Sequence, residues 1–303
     1  MNGEKRRFLI QDRVAVDSQS GLAWPIDAAL GEFPMTWHEA LAFVDDLNRR
    51  RWAGFEDWHL PNRRELFSLV SHSRINPSLP AGHPFVNVFS GYYWTTTTCS
   101  RLPEQAWYVH LGGARVFKGM KHGFYMVWPV RADAPSDGWP YRTGQRACYD
   151  EEHMPLTCAG GGQDGALRAG RPWPEPRFDV REDGVLDRLT GLIWDRSASS
   201  APAPVDWESA CEMAAAANRK RYLGHDSWRL PTVREMESLC DLGTHSPALP
   251  LDHPFENVRS DYWTSTTSRY ESSYAWVLYL QDGAVGVGFK SGSVFDVWLV
   301  RNR

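Results

Sequence analysis

Two histidines carry the first candidate chemistry. His83 and His253 each stand before Pro-Phe in a shared local pattern, and an imidazole that titrates near neutrality suits a metal ligand or an acid–base group. Neither sits in a His-x-x-x-His or Cys-x-x-Cys spacing, so a loop histidine bonded to backbone is the better-supported reading. Glu65 and Glu235 could be general acids, but each lies three residues after Asn62 or Thr232, which is capping-box spacing. Asp282 before Gly283 suits a turn more than an ion site. No Ser-His-Asp spacing, Gly-rich phosphate loop or zinc signature is present, so the expectation is no enzyme, no metal and no cofactor.

The five cysteines are too few for a disulfide scaffold. Cys211 and Cys240 fall in helical patterns, where a small buried thiol is the default, and Cys99 in a polar turn is expected to be free. Cys148 and Cys158 lie in a Gly-rich stretch where a disulfide would order a segment with little core. That pairing needs an oxidising compartment, so both the bridged and the reduced forms stay open.

These groups must be positioned by a chain of 303 residues, with 42% hydrophobic and 23% charged residues, 25 Gly and 20 Pro. That composition fits soluble globular domains with many turns. A net charge of −4 and a pI near 6.2 give no basic footprint, so nucleic acid is not an expected partner. Apolar runs long enough for a membrane span are absent, and Lys5-Arg6-Arg7 precede only Phe8-Leu9-Ile10, which is no secretory signal. The chain as given is therefore expected in the cytoplasm, or outside the cell if a signal has been removed.

The dominant feature is an internal repeat. A shift of 170 residues pairs Trp24 with Trp194, Trp37 with Trp207, Asn48 with Asn218 and Trp58 with Trp228. Leu60-Pro61 then meets Leu230-Pro231, and His83-Pro84-Phe85 meets His253-Pro254-Phe255. One residue is lost before Tyr93-Trp94-Thr95 matches Tyr262-Trp263-Thr264, and it is regained near Gly113. Twelve of the fifteen tryptophans pair in this way, which marks them as framework. The expected domains are 8–132 and 178–303, separated by a linker at 133–177 with one ordered loop at most.

Each copy reads as a strand and turn (Arg13 to Trp24, Gly184 to Trp194), two helices, and then strands. The first helices follow Thr36 and Asp206 as N-caps, with the apolar stripe Trp37, Ala40, Leu41, Val44, Leu47 in one copy. Strands are expected at Tyr92 to Thr97, Trp107 to Leu111, Ala114 to Lys118 and Phe124 to Arg131. Helices segregated to one side of an antiparallel sheet make an α+β class.

The order of Trp, helix, Trp-x-Leu-Pro-x-x-x-Glu, His-Pro-Phe, Tyr-Trp-Thr, Ala-Trp and a closing Trp-x-Val-Arg resembles the Lcl C-terminal domain family, named after a bacterial collagen-like adhesin. Thr143-Gly144-Gln145, Cys148, Cys158, Gly162-Gln163-Asp164-Gly165 and Pro176-Arg177-Phe178 look like the lead-in found before such domains. The resemblance implies a C-type-lectin-like fold shared with formylglycine-generating enzymes and retroelement variable proteins. It implies adhesion or recognition of a protein or glycan. Calcium-dependent sugar binding loses support because Glu-Pro-Asn, Gln-Pro-Asp and Trp-Asn-Asp do not occur.

An oxidase of the formylglycine-generating type would need cysteines, yet none of the five is matched between copies; Cys240 faces Val70. A diversified display protein is a further alternative. The late strands diverge between copies, and in related variable proteins that region faces the ligand. The resemblance therefore puts ligand contacts at Arg115, Phe117, Lys118, Lys121, His122 and Tyr125, and at Phe289, Lys290, Ser291 and Phe295. The polar stretches from Thr97 to Glu104 and Thr267 to Ser273 are a secondary candidate.

Overall fold

The computed structural model describes residues 7–133, 138, 140–158 and 160–303. They fall into two compact units, 1–171 and 172–303.

The first unit starts with β1 (Phe8–Gln11), β2 (Val14–Asp17) and β3 (Leu22–Pro25), an antiparallel meander. Asp17 builds its second turn by accepting the Gln19 N–H and the Ser20 hydroxyl, each at 3.0 Å. Arg7 donates to both Asp17 oxygens, at 2.9 and 2.7 Å, and to the Ser68 carbonyl. The repeated framework thus begins before residue 8.

Helix α1 (Trp37–Arg49) starts at a Thr36–Glu39 capping box, and α2 (Arg63–Leu69) at an Asn62–Glu65 box. The α1 stripe Trp37, Ala40, Val44 and Leu47 is buried. Asn48 clamps the next segment, its amide donating to the Trp58 carbonyl (2.7 Å) and accepting the Trp58 N–H (2.8 Å). That is why Asn recurs at this position beside Trp.

Strands β4 (Tyr92–Thr98), β5 (Gln105–His110) and β6 (Arg115–Met120) pair antiparallel, with a register shift between Trp94 and Thr98. The expected long strand from Phe124 to Arg131 forms only at its end, where β7 (Arg131–Ala132) joins β3. Upstream, the extended chain serves several partners in turn: Tyr125 bridges Met35, Met126 bridges Tyr93, and Val130 bridges His59. It threads between layers, so no single neighbour accompanies it long enough to make a ladder.

Three of the paired tryptophans tie the layers together through indole hydrogen bonds to backbone carbonyls. Trp37 donates to Thr95, Trp94 to Met35 and Trp128 to Pro25, at 2.8, 2.8 and 3.0 Å. Around Trp128 pack the rings of Trp24, Phe85 and Tyr93.

Residues 140–171 differ from the linker reading. They contain β8 (Cys148–Tyr149), β9 (Pro155–Leu156) and the single-turn α3 (Asp164–Leu167), and they belong to the first unit. A disulfide joins Cys148 to Cys158. Asp164 is buried and accepts the Thr97 and Thr143 hydroxyls at 2.6 and 2.7 Å; Gln145 donates to the Thr98 carbonyl and Asn62 to the Ala169 carbonyl. Gly and Pro content suggested a linker because polar contacts of this kind leave no hydrophobic periodicity. We refer to this segment as the clasp.

The second unit repeats the plan with β10 (Phe178–Arg181), β11 (Gly184–Asp187), β12 (Ile193–Trp194), α4 (Trp207–Arg219) and α5 (Val233–Ser238). Strands β13 (Asp261–Thr267), β14 (Tyr274–Tyr279) and β15 (Ala284–Phe289) follow, and β16 (Val300–Arg301) pairs with β12. Asp206 caps α4, and Thr232 with Glu235 forms a capping box on α5. Trp207, Trp263 and Trp298 donate to Thr264, Val205 and Asp195, the counterparts of the first-unit bonds. Each unit is an α+β domain of helices and antiparallel sheets. Among the described residues no helix is long and apolar enough to cross a membrane.

Candidate functional site

Strand register brings six side chains of the first unit onto one sheet face. Tyr92 pairs with His110 and His110 with Arg115; in the next row Trp94 pairs with Tyr108 and Tyr108 with Phe117. Because alternate residues share a face, Tyr92 and Trp94, Tyr108 and His110, and Arg115 and Phe117 point the same way. Tyr125, arriving from the threading segment, lies 4.3 Å from Trp94, 5.1 Å from Tyr108 and 5.3 Å from Tyr92 between ring centroids. Tyr92 also packs against Tyr108 at 4.8 Å and His110 at 4.9 Å.

The cluster stays partly open to solvent. Tyr92 is 42% and Phe117 37% exposed, while Tyr108, His110 and Tyr125 are half-buried. Gly119 leaves room for Tyr125: a Cβ there would collide with its hydroxyl oxygen. Among the described residues the hydroxyls of Tyr92, Tyr108 and Tyr125 have no hydrogen-bond partner, so each can still donate and accept.

Burial, reinforced by the neighbouring Tyr125 and Tyr92, pushes the Tyr108 phenol up to about 12. Burial also raises Tyr125 and, together with Arg115, lowers His110. The Gly113 N–H donates to His110 Nδ1 at 3.1 Å, which in the neutral ring leaves the proton on Nε2. At neutral pH the face therefore offers protonated phenols, a neutral imidazole donor, aromatic surface and the charge of Arg115.

The second unit lacks this cluster on the same framework. Register places Asp261, Tyr279 and Ala284 in one row and Trp263, Val277 and Gly286 in the other, with Phe295 against Trp263 at 4.7 Å. Three tyrosines are thus replaced by Asp, Val and Phe.

The late-strand residues separate into groups. Arg115, Phe117, His122, Phe289 and Ser291 are exposed, and Lys118 is half-buried with Nζ 4.6 Å from the Phe117 ring. Lys121 is not a surface residue: it is 2% exposed, its Nζ lies 4.3 Å from the Trp37 ring and 5.5 Å from Tyr149, and burial lowers it to about 8. Lys290 is half-buried over Trp207 at 4.2 Å and donates to the Thr267 hydroxyl at 2.9 Å. Tyr125 and Phe295 pack against the cores as well. Lys121 and Lys290 are counterparts, so the residue expected to be regained near Gly113 is regained only after Lys121, and part of the apparent divergence is a one-residue misalignment around a shared lysine-on-tryptophan contact. Tyr92, Tyr108 and His110 were missed, although the alternations Tyr-x-Trp, Tyr-x-His and Arg-x-Phe mark one face.

The other candidates have structural surroundings. His253 Nδ1 accepts the Phe255 N–H at 3.3 Å, and His83 and His253 stack on Phe85 and Phe255 with burial lowering both. Asp282 Oδ1 accepts the Ala284 N–H at 3.2 Å within a turn. Cys99 and Cys240 are buried, Cys240 just beyond the end of α5 rather than within it, and Cys211 is half-buried on α4. Among the described residues no group of three or more His, Cys, Asp or Glu is arranged to hold a metal.

Glu65 closes its capping box and also contacts His59 Nε2, at 3.1 Å to each oxygen. In the second unit Arg229 takes the histidine's place and makes two 2.7 Å bonds to Glu235. Burial lowers His59, but the Glu65 charge and hydrogen bond outweigh it, and the net shift is upward from 6.5. A raised folded value means stability that is complete below about pH 6.5 and lost as pH rises through the folded value. The first unit is expected to lose stability over that window, and His59→Arg to remove the loss; pH-dependent denaturant titrations that superimpose for both proteins would refute this.

These features define a duplicated α+β protein with one elaborated sheet face. The model of the Lcl C-terminal domain matches residues 13–131 and again 183–301, and the chain belongs to that family. No curated protein matches it.

Proposed function

We propose that the chain is a non-catalytic recognition or adhesion protein of the C-type-lectin-like kind, binding a carbohydrate or protein ligand through the tyrosine face of its first unit. The supporting observation is the open cluster of Tyr92, Tyr108, Tyr125 and His110 beside Arg115 and Phe117, present in one copy and replaced in the other. Aromatic surface rimmed by free hydroxyls fits the apolar face and hydroxyl edge of a sugar ring, and this favours a glycan. Arg115 would add a bond to an acidic or hydroxyl group.

The test is a glycan array with the intact protein, followed by titration of the best binder. Tyr92→Ala and Phe117→Ala alter exposed side chains, so folding is preserved, and each is expected to weaken binding about tenfold. The matched change Asp261→Ala in the second unit is expected to have no effect. Binding insensitive to the first two changes, or protein capture by a site elsewhere, would overturn the assignment.

A further inference from the structure

The same structural position is buried in one unit and partly open in the other. In the first unit the clasp lies over the end of β4 and the start of α2: Thr97 is fully buried, Thr96 is 1% exposed and Lys121 2%. In the second unit the corresponding Ser265 is exposed, and Thr266, Thr267 and Lys290 are half-buried.

The hydrogen bonding beneath is matched closely. The Arg63 N–H donates to Thr97 Oγ1 at 3.0 Å, and the Val233 N–H donates to Thr266 Oγ1 at 3.1 Å. The two units part at the next bond. Thr97 donates its hydroxyl hydrogen bond to the Asp164 carboxylate of the clasp at 2.6 Å. The Thr266 N–H donates to Thr264, but among the described residues its hydroxyl only accepts, so the hydroxyl proton has no acceptor there.

We infer that this face of the second unit is a docking site for a clasp-like protein segment, one that presents a carboxylate from a short helical turn beside a disulfide-closed hairpin. The occupant is argued from the first unit, where a segment of that chemistry fills the equivalent position. Charge agrees, because Lys290 donates to the hydroxyl of Thr267, next to Thr266, and the incoming group is an anion. Cys211 also marks the place: its counterpart Leu41 lies under the clasp, its side chain 3.2 Å from where a Cβ on Gly162 would sit. This surface is distinct from the tyrosine face and does not depend on the glycan reading.

The probe is a synthetic, oxidised peptide of residues 140–171 added to the full chain, with alkylation of Cys211 followed by mass spectrometry. Cys99 and Cys240 are buried and serve as internal references. The peptide is expected to protect Cys211 saturably. Thr266→Val is expected to weaken that protection about tenfold, the effect of losing a hydrogen bond to a charged group. The same loss is expected when the peptide carries Asp164→Leu, which leaves the protein untouched. Unchanged Cys211 labelling at high peptide, or protection indifferent to both substitutions, would overturn the proposal.

Discussion

Asp187→Ala is expected to destabilise the second unit by about 3–5 kcal/mol, the cost of leaving a buried cation without its partner. Asp187 is fully buried and Arg177 4% exposed, with guanidinium-to-carboxylate bonds of 3.1 Å on both oxygens. The same carboxylate accepts the Leu189 N–H and the Thr190 hydroxyl, so the strand turn goes with it. Arg177 also donates to the Ser238 carbonyl at the end of α5, tying that helix to the meander. The counterpart Asp17→Ala should cost the first unit less, because Arg7 is 21% exposed and water can reach it. Amide hydrogen exchange resolved by peptide measures both; equal losses, or a second-unit loss under about 1 kcal/mol, would contradict the buried-pair account.

Reducing the Cys148–Cys158 bond, or Cys148→Ser, is expected to weaken the clasp by roughly 2–3 kcal/mol, from the loop-closure entropy of so short a ring. The bridged residues are ten apart in sequence. Exchange at residues 140–168 should rise while the core strands of the first unit stay protected. Asp164 adds a pH dependence. Burial pushes its carboxyl up to about 6, against the opposing hydrogen bonds from Thr97 and Thr143. A raised folded value gives stability that is present below the unfolded value of 3.8 and lost as pH climbs through 6. The clasp should therefore be about 1 kcal/mol firmer at pH 5 than at pH 7.5. Asp164→Asn should flatten that difference, and an unaltered slope would point to another group.

The framework was legible because bulky residues cannot drift without cost. The paired tryptophans, Asn48 with Asn218, the N-cap at Thr36 and the capping boxes at Asn62 and Thr232 all stand where sequence spacing put them. Each is a local rule or a heavily buried group. The late strands were less legible, since exposure of Lys121, Lys290, Tyr125 and Phe295 depends on what covers them. A divergent sequence does not separate a solvent-facing strand from one roofed by a distant segment.

The pattern of His83 and His253, and of Glu65 and Glu235, shows the same division. Spacing assigned the glutamates to caps, but the replacement of His59 by Arg229 beneath them gained meaning only from contact across six residues. That exchange gives one unit a titratable partner and the other a permanent charge.

Sequence by itself determined the duplication, the α+β class, the helix starts and the tryptophan framework, because these rest on local periodicity and on side chains too large to misplace. Only the tertiary structure decided which face of β4 to β6 gathers three tyrosines, that Lys121 lies buried, and that residues 140–171 clasp the first unit. Those outcomes depend on strand register and on polar contacts between residues far apart in the chain, and neither leaves a period in the sequence.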